Sequence, residues 1–289
     1  MPPATRIYNS FVTDSRRWQH YEPRAGDVVV ATPPKSGTTW MQTIVALLIS
    51  GDPAVEPQIA KNMPWFDSRM TPLEDRLAIL AAQPGRRSVK THTPLDGIAY
   101  YPECTYLTVY RHPLDVHFSM RNHAVNMPGG MLDWYFPDES DLTFTRFLSG
   151  ADEGADFEPA SLASIIHHYR TFAAARDRPN IHIFHYADLK RDLTGQMRRI
   201  AEFLGISHDD DTFAALVQAA TFENMQANAS RYAPAGGEDF WKSDRDFFKS
   251  ASSRKWEGKL SDAQIAAYNA MMREHLSAED IRWLEEGSG

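Results

Sequence analysis

The sequence has a single cysteine, Cys104, among 289 residues. One cysteine excludes an internal disulfide and any metal site built from several thiolates, and it is typical of proteins in a reducing cytosol. Basic residues are also scarce, because 30 Lys and Arg stand against 38 Asp and Glu, which gives a net charge of −8. This balance excludes a general nucleic-acid binder or a protein that docks on anionic membranes. Any anionic ligand must be bound by a local cluster of cations.

Long apolar runs are missing as well. The most apolar run covers residues 44–49, far short of the roughly 20 residues that a membrane-spanning helix needs. Residues 1–10 lack the apolar core of a signal peptide, so the sequence predicts a cytoplasmic protein. The hydrophobic fraction of 43% and the charged fraction of 24% are ordinary for a globular chain. No change of composition marks a boundary, and we predict a single domain over residues 1–289.

Short β-branched runs alternate with helical patterns along the chain. We predict buried strands at residues 27–31, 88–91, 105–110 and 181–186. We predict helices at residues 38–50, 113–123 and 193–204, and a last helix opening at 261–262. Strands separated by helices favour an α/β fold, here a P-loop-like, doubly wound parallel sheet flanked by helices. Residues 53–72 and 127–159 follow neither pattern and are expected to be irregular walls or lids.

The clearest functional motif follows the first predicted strand. Residues 32–40 read Thr-Pro-Pro-Lys-Ser-Gly-Thr-Thr-Trp and lead into a helix. The N–H groups of a helix N-terminus bind anions, a glycine lets the backbone approach a phosphate, and Lys35 adds a mobile charge. The motif differs from the nucleoside-triphosphate loop, because Lys35 precedes Gly37 instead of following the last glycine. The pattern predicts a phosphate site, with a simple capped helix as the alternative.

Residues 34–40 resemble the 5′-phosphosulfate loop of the cytosolic-type sulfotransferases, and the chain resembles a bacterial-type member of that family. These enzymes use 3′-phosphoadenosine 5′-phosphosulfate (PAPS) as donor and release adenosine 3′,5′-bisphosphate (PAP). The resemblance runs over residues 27–264 and implies a phosphosulfate loop at 33–40. It implies that the donor is bound by these loop residues: Lys35, Ser36, Gly37, Thr38, Thr39 and Trp40.

Residues 88–95, Ser-Val-Lys-Thr-His-Thr-Pro-Leu, resemble the family's strand end that carries the catalytic base, which falls on His92. An acceptor hydroxyl or amine must lose a proton as it attacks sulfur, and an imidazole with its ordinary pKa of about 6.5 suits that task. The alternative is an ordinary core or surface histidine, since the chain has eleven. In this interpretation Lys35 and Lys90 stabilise charge on the bridging and leaving oxygens.

Residues 110–119 resemble the family's 3′-phosphate segment, Arg-x-Pro-x-Asp-x-x-x-Ser. Arg111 can bind two phosphate oxygens with its fork of donors. Ser119 would complete that site, and the matching serine of the family also restrains the loop lysine. Asp115 either tethers a neighbouring loop or is a helix-start carboxylate. On the adenine side the resemblance implies contacts from Tyr186, Thr221, Phe222 and Met225.

Residues 247–256 align with the family's Phe-x-Arg-Lys-Gly-x-x-Gly-x-Trp segment but depart from it. Phe248 keeps its place, whereas Lys249 replaces the arginine and Arg254 replaces a glycine. A lysine is a point charge without the planar fork of arginine, so we expect Arg254 to restore bidentate recognition of the 3′-phosphate. The backbone turn of the family pattern is not expected here.

The tract around this segment, residues 241–259, has six basic and three acidic residues. We predict that it forms a lid over the 3′-phosphate, with the charge shared among Lys249, Arg254 and Lys255. The family's dimer motif would fall on residues 257–266 and is not preserved. The sequence therefore predicts a monomer or a different dimer.

Together these motifs predict a sulfotransferase that moves the sulfuryl group of PAPS to a hydroxyl or amine of a small, partly apolar acceptor. In-line transfer needs positioning, no covalent intermediate and no metal. Aromatic residues of the irregular stretches either line the acceptor pocket or form satellite core: Trp65, Phe66, Tyr135, Phe136, Phe144 and Phe147. Of these we predict Trp65, Phe66 and Phe144 to contact the acceptor. One alternative is a P-loop-type small-molecule or nucleoside kinase, which needs Mg²⁺ ligands. Another is a non-catalytic nucleotide-binding protein.

Overall fold

A parallel sheet lies at the centre of the computed structural model, which describes residues 4–130, 140–150, 160–249 and 252–289. The strands of this described part are β1 (Val28–Ala31), β2 (Ser88–Thr91), β3 (Thr105–Tyr110) and β4 (Ile181–His185). They pair in parallel in the order β2-β1-β3-β4. The predicted α/β class and its parallel sheet are confirmed, with strand ends within one residue of those expected.

Helices surround the sheet. The first group is α1 (Thr38–Ser50), α2 (Ile59–Asn62), α3 (Leu73–Ala82), α4 (Pro113–Asn126), α5 (Ser140–Ser149) and α6 (Leu162–Ala173). The second group is α7 (Tyr186–Arg191), α8 (Leu193–Phe203), α9 (Asp210–Ala219), α10 (Phe222–Ala227), α11 (Ala229–Tyr232), α12 (Asp244–Phe247), α13 (Asp262–His275) and α14 (Ala278–Glu286). Short 3₁₀ turns cover Ser15–His20, Leu95–Gly97 and Pro128–Gly130. None of these helices is long and apolar enough to cross a bilayer.

Both faces of the sheet are covered, as a doubly wound fold requires. Side chains alternate along β1, so Val28 and Val30 enter the core formed with α1, α8 and α9. Val29 and Ala31 enter the opposite core, which contains Trp18 and other aromatic residues. Because both faces are buried, β1 reads as a continuous apolar run in the sequence.

The parallel register brings the carboxyl ends of the strands to one edge of the sheet. Ala31 at the end of β1 pairs with Thr91 at the end of β2, and Tyr110 at the end of β3 pairs with His185 at the end of β4. Ligands of open α/β sheets bind outside this edge. The loop after β1, the segment after β2, the start of α4 and the start of α7 therefore meet there.

The stretches expected to be irregular contain helices. Residues 53–72 include α2, and α5 lies within 127–159, where it buries Phe144 and Phe147. A helix that was not predicted from the sequence, α14, follows α13. Its N-cap is Ser277, whose side chain accepts the N–H of Asp280. The sequence pattern did not predict these short helices. Tyr135 and Phe136 lie outside the described residues, so their predicted role is not tested.

Candidate active site

The loop between β1 and α1 is shaped by two residues with positive φ. Gly37 has φ 117°, and a Cβ there would lie 3.2 Å from the Tyr186 ring. Lys35 has φ 60°, an uncommon conformation for a residue with a side chain. The Thr38 hydroxyl is tied to that of Thr32 at 2.6 Å. These constraints hold the loop at the start of α1, where backbone N–H groups face any anion.

His92 is fixed at the end of β2 in one tautomer. Its Nδ1 lies 2.7 Å from the carbonyl oxygen of Thr32, so Nδ1 must carry the proton that it donates. The edge of the Trp65 ring packs against the imidazole at a centroid distance of 4.8 Å. Burial and the charge of Lys90 lower the pKa of His92 well below its ordinary value. The neutral ring therefore has its lone pair on Nε2, as a general base requires.

The amine of Lys35 is held by α4 and by the predicted lid tract. Its Nζ lies 3.3 Å from Nδ1 of His123 and 4.3 Å from the centroid of the Phe247 ring. Burial, together with the charges of Lys90, Arg111 and Lys255, lowers the pKa of Lys35 to about 7. Lys35 is thus close enough to three other cations to be destabilised by them as an ammonium ion, and a bound anion would relieve that repulsion.

Lys90 lies on the neighbouring strand. Its ammonium nitrogen is 4.7 Å from the centroid of Trp65. Burial lowers its pKa to about 8, with Arg76 acting in the same direction and Asp67 in the opposite one. Lys90 and His92 both line the same cavity as Lys35.

Arg111 lies just after β3 and is almost fully buried. Its Nη2 donates to the carbonyl oxygen of Ser252 at 2.9 Å, and its guanidinium lies 4.4 Å from the Tyr186 ring centroid. Its Nε has no hydrogen-bond partner among the described residues, and neither have the buried Ser36 Oγ and Trp65 Nε1. Arg111 and Trp65 line the cavity, so their N–H groups without hydrogen bonds indicate places for a ligand with oxygen atoms. Ser119 lines the same cavity.

The predicted adenine side forms an apolar wall of the cavity. Trp40 packs edge-on against Tyr186 at 5.3 Å and donates its indole N–H to the carbonyl of Ala220 at 2.8 Å. Phe222 and Phe248 pack at 6.4 Å, and both line the cavity together with Met225. Thr221 caps α10 by accepting the N–H of Asn224 at 3.3 Å.

The lid tract is tethered to α4 at two points. The Asp115 carboxylate accepts the backbone N–H groups of Arg254 at 3.0 Å and Lys255 at 2.8 Å. This confirms that Asp115 tethers a neighbouring loop. Asn126 exchanges hydrogen bonds of 2.9 and 3.0 Å with the backbone of Ser243. The lid is thus anchored at both ends of α4.

The side chains of the three basic residues considered for the 3′-phosphate, Arg254, Lys255 and Lys249, have different surroundings. Arg254 has φ 58°, a side chain that is 70% exposed, and a guanidinium 3.4 Å from Glu257. Lys255 is half-buried, and burial together with the charge of Arg111 lowers its pKa to about 8. Lys249 is exposed and lines the cavity. Lys255 is therefore close enough to Arg111 for the two charges to interact, although Lys255 is not among the residues that line the cavity, and the guanidinium of Arg254 lies against Glu257.

The cavity has a volume of about 700 Å³. Trp65 lines it, as expected for an acceptor-pocket residue. Phe66 is fully buried against Trp18 and Tyr21, and Phe144 lies in the core beneath α5. This corrects the expectation that both line the acceptor pocket. Trp65 pairs with Lys90 in an isolated bridge and Phe66 begins the turn that follows, so the two neighbouring side chains lie on different sides: Trp65 on the cavity and Phe66 in the core.

Sequence reasoning missed three residues of the site. His123 and Phe247 contact Lys35, and Asp67 binds the threonines on either side of His92. A signal for His123 was present, because it follows Ser119 by four residues and so shares its face of α4. Phe247 and Asp67 are placed by contacts between distant parts of the chain.

Comparison with known proteins identifies the family. Residues 25–280 match the sulfotransferase domain family. The chain belongs to the sulfotransferase family. Glycolipid sulfotransferases of Mycobacterium bovis and Mycobacterium tuberculosis are 31% identical to it over 97% of this chain and 94% of their own length. Sulfotransferase 2B1 of Mus musculus is 27% identical over 88% of this chain and 72% of its own length.

Solved sulfotransferase structures share the fold. A retinol dehydratase in complex with retinol and PAP superposes with a TM-score of 0.73 at 19% identity, covering 92% of this chain and 87% of that one. A mouse sulfotransferase complexed with PAP gives 0.71 at 18% identity, covering 92% and 90%. Membership in this family does not favour the kinase alternative, in agreement with a loop lysine that precedes its glycine.

Proposed function

We propose that this sulfotransferase transfers the sulfuryl group of PAPS to a hydroxyl group of a partly apolar acceptor. One observation carries the proposal: Lys35, Lys90 and Arg111 line a cavity that also contains a neutral, oriented His92, and the charge of Lys255 acts on Lys35 from nearby. Such a cluster is suited to a ligand with several negative charges. PAPS is such a ligand.

The donor would be held by groups from several strand ends. The N-terminus of α1, with Ser36 and Thr39, suits the 5′-phosphosulfate. Arg111 and Ser119 suit the 3′-phosphate, and the Nε of Arg111, which makes no hydrogen bond and lies 3.9 Å from the Asp115 carboxylate, supports this assignment. Among the lid residues we assign the additional 3′-phosphate contact to Lys255, because its charge interacts with that of Arg111. Trp40, Tyr186, Phe222, Met225 and Phe248 suit the adenine ring.

The residues of the site divide the reaction between them. His92 takes the acceptor proton on Nε2 as the acceptor oxygen forms its bond to sulfur. The bond between sulfur and the bridging phosphate oxygen breaks in the same step, and PAP leaves. Lys35 and Lys90 stabilise the negative charge that develops on the bridging and leaving oxygens, which is the kind of preorganised electrostatics that lowers such barriers most. The proposed step uses no metal.

The acceptor side is largely apolar. Trp65, Met63, Ile59 and Met70 line the cavity beside Lys90 and His92. Such walls suit the apolar part of an acceptor that presents one hydroxyl to His92. Since two mycobacterial relatives are named for glycolipids, we include a glycolipid among the acceptors to test. We further propose a single domain that works in the cytoplasm as a monomer or as a dimer of a different kind.

The test is an acceptor screen read by mass spectrometry. The protein is incubated with PAPS and a panel of phenols, alcohols, amines and a glycolipid, and both PAP and sulfated products are measured. We expect sulfation of a hydroxyl acceptor in the panel. The matched variants are His92→Ala and, as a control for loss of a histidine, His275→Ala, which is exposed in the last turn of α13.

His92→Ala should lower turnover by about 10²- to 10⁴-fold, the usual value of general-base assistance. Its affinity for PAP should stay nearly unchanged, because the loop and Arg111 bind the nucleotide. His275→Ala should behave as wild type. Near-normal turnover of His92→Ala, or no sulfation of any acceptor by wild-type protein that binds PAP, would contradict the proposal.

A further inference from the structure

One buried carboxylate close to the active site has no part in the reaction described above. Asp67 is fully buried. It lies in the segment that follows α2 and runs alongside β2. There the Phe66 N–H donates to the carbonyl of Lys90 at 3.0 Å, and the Lys90 N–H donates to that of Pro64 at 2.9 Å. This pairing places Asp67 beside the strand end that carries Lys90 and His92.

Three donors converge on a single oxygen of Asp67. Its Oδ2 accepts from Thr91 Oγ1 and Thr93 Oγ1, both at 2.6 Å, and from Trp18 Nε1 at 3.0 Å. The Thr91 oxygen in turn accepts the backbone N–H of Thr93 at 2.9 Å, so the hydroxyl proton of Thr91 is available for Asp67. An indole N–H can only donate. All three contacts therefore fit an ionised carboxylate.

The hydrogen bonds of Asp67 restrain the residues on both sides of His92. Thr91 and Thr93 flank His92, so fixing their side chains fixes the backbone from which the imidazole extends. The imidazole itself is restrained by Thr32 and Trp65. Burial raises the pKa of Asp67 above its ordinary value, and the three donors oppose that effect. Its Oδ2 has three donors, whereas its Oδ1 has no hydrogen-bond partner among the described residues. A buried carboxylate that is held in this way on one oxygen costs free energy to desolvate, which indicates a specific task.

The charge of Asp67 also reaches Lys90, whose pKa it raises. The other charged or titratable groups that act on Lys90, or on which Lys90 acts, are Arg76 of α3, Lys35 of the phosphosulfate loop, His123 of α4 and His92 beside it. These groups disfavour the ammonium form of Lys90 when they are charged. Asp67 is the carboxylate that acts in the other direction within the described part of the chain.

We propose that Asp67 is a positioning residue of this active site: its hydrogen bonds to Thr91 and Thr93 orient the Thr91–His92–Thr93 segment, and its carboxylate supplies negative charge beside the strand end that carries Lys90. The inference rests on the proposed function for the role of His92 and Lys90. The contacts of Asp67 themselves do not depend on it. A purely structural Asp67 would affect only the fraction of folded protein.

The test compares Asp67→Asn with Thr93→Val in the full chain. Asn keeps an acceptor oxygen and removes the charge, whereas Val removes one donor and leaves the charge in place. Active sites are counted by titration with PAP, so that kcat is given per folded site. The pH dependence of kcat/KM for PAPS and that of PAP affinity are measured for each variant.

For Asp67→Asn we expect kcat to fall about 10- to 100-fold, the size seen when residues that orient a reactive group are removed. The pH at which kcat/KM and PAP affinity fall on the alkaline side should be lower by roughly one unit, because the substitution removes the carboxylate that favours the protonated form of Lys90. For Thr93→Val we expect a several-fold fall in kcat with that pH unchanged. Bound PAP should saturate both variants.

An Asp67→Asn variant with unchanged kcat per site and no shift of the alkaline fall in kcat/KM and PAP affinity would overturn the proposal. If that variant does not fold, Thr93→Val decides the positioning role alone, and a normal kcat would refute it. The PAP titration needs no turnover. A wild-type protein that binds PAP but sulfates nothing would refute the proposed function, while the shift in PAP affinity would still test the link between Asp67 and Lys90.

Discussion

Two regions of the proposed donor site are built in different ways. Lys35, Lys90, His92 and Arg111 lie at or just after the ends of three neighbouring parallel strands, so the register of the sheet brings them together. The lid tract, by contrast, is held by hydrogen bonds from its backbone to Asp115 and other polar groups of α4. A residue at a strand end is placed by local sequence. A residue of the lid is placed by a side chain more than a hundred positions away.

The largest expected effect on nucleotide affinity distinguishes Lys255 from its neighbour Arg254 in the lid tract. Lys255→Ala should weaken PAP by about 1.5–3 kcal/mol, the value of a hydrogen bond to a charged group, or roughly 10- to 100-fold. AMP should lose much less, because it has no 3′-phosphate. Arg254→Ala is the matched control, since its guanidinium faces Glu257 and solvent. Isothermal titration of both nucleotides against both variants measures the ratio of affinities.

An unchanged PAP-to-AMP ratio in Lys255→Ala would place Lys255 outside the site. A changed ratio in Arg254→Ala would show that the lid turns Arg254 inward when the nucleotide is bound. Either result would mean that the lid of the complex differs from the one tethered here by Asp115. The strand-end residues would be unaffected by that outcome.

The same contrast explains how much could be predicted from the sequence. The strands, α1 and the phosphate loop follow from local patterns, because buried parallel strands are continuous apolar runs and Gly37 marks the close approach of backbone to Tyr186. His92 was expected at a strand end and lies there. These features need only neighbours in the chain.

The partners of these residues could not be predicted in the same way. His123 meets Lys35 across 88 positions, and Asp115 meets Arg254 across 139. Aromatic composition alone could not predict that Trp65 faces the cavity whereas Phe66 lies in the core. The direction of the Arg254 side chain depends on its left-handed backbone conformation, which cannot be predicted from the residue type.

A pH series sharpens the comparison, because cations of both regions have lowered pKa values in the ligand-free protein. Burial and mutual repulsion bring the pKa of Lys35 to about 7 and that of Lys255 to about 8. A bound anion favours the protonated forms and raises these values. PAP affinity should therefore be highest near pH 7 and should fall at least roughly tenfold by about pH 9.

Proton uptake is the direct measurement of this linkage. Titration of PAP at about pH 8 in two buffers of different ionisation enthalpy should show protons taken up on binding. Lys255→Ala should take up fewer protons than wild type, and His92→Ala the same number, since His92 is already neutral. Constant affinity across the series without proton uptake would mean that the cations do not titrate in this range.

The smallest expected effect concerns the contact that joins the two regions. Lys35, in the loop after β1, lies between His123 of α4 and Phe247 of the lid tract. Burial and the charge of Lys35 keep the pKa of His123 well below its ordinary value, so its neutral Nδ1 accepts a hydrogen bond from the lysine.

His123→Phe keeps an aromatic ring against Trp241, at 4.9 Å in this structure, and removes the acceptor. If Lys35 leaves His123 to meet the donor, the variant loses a bond of the ligand-free state only. PAP should then bind about two- to fivefold more tightly, in line with a net hydrogen bond of about 0.5–1 kcal/mol. Weaker binding measured by titration would show instead that His123 stays on Lys35 in the complex.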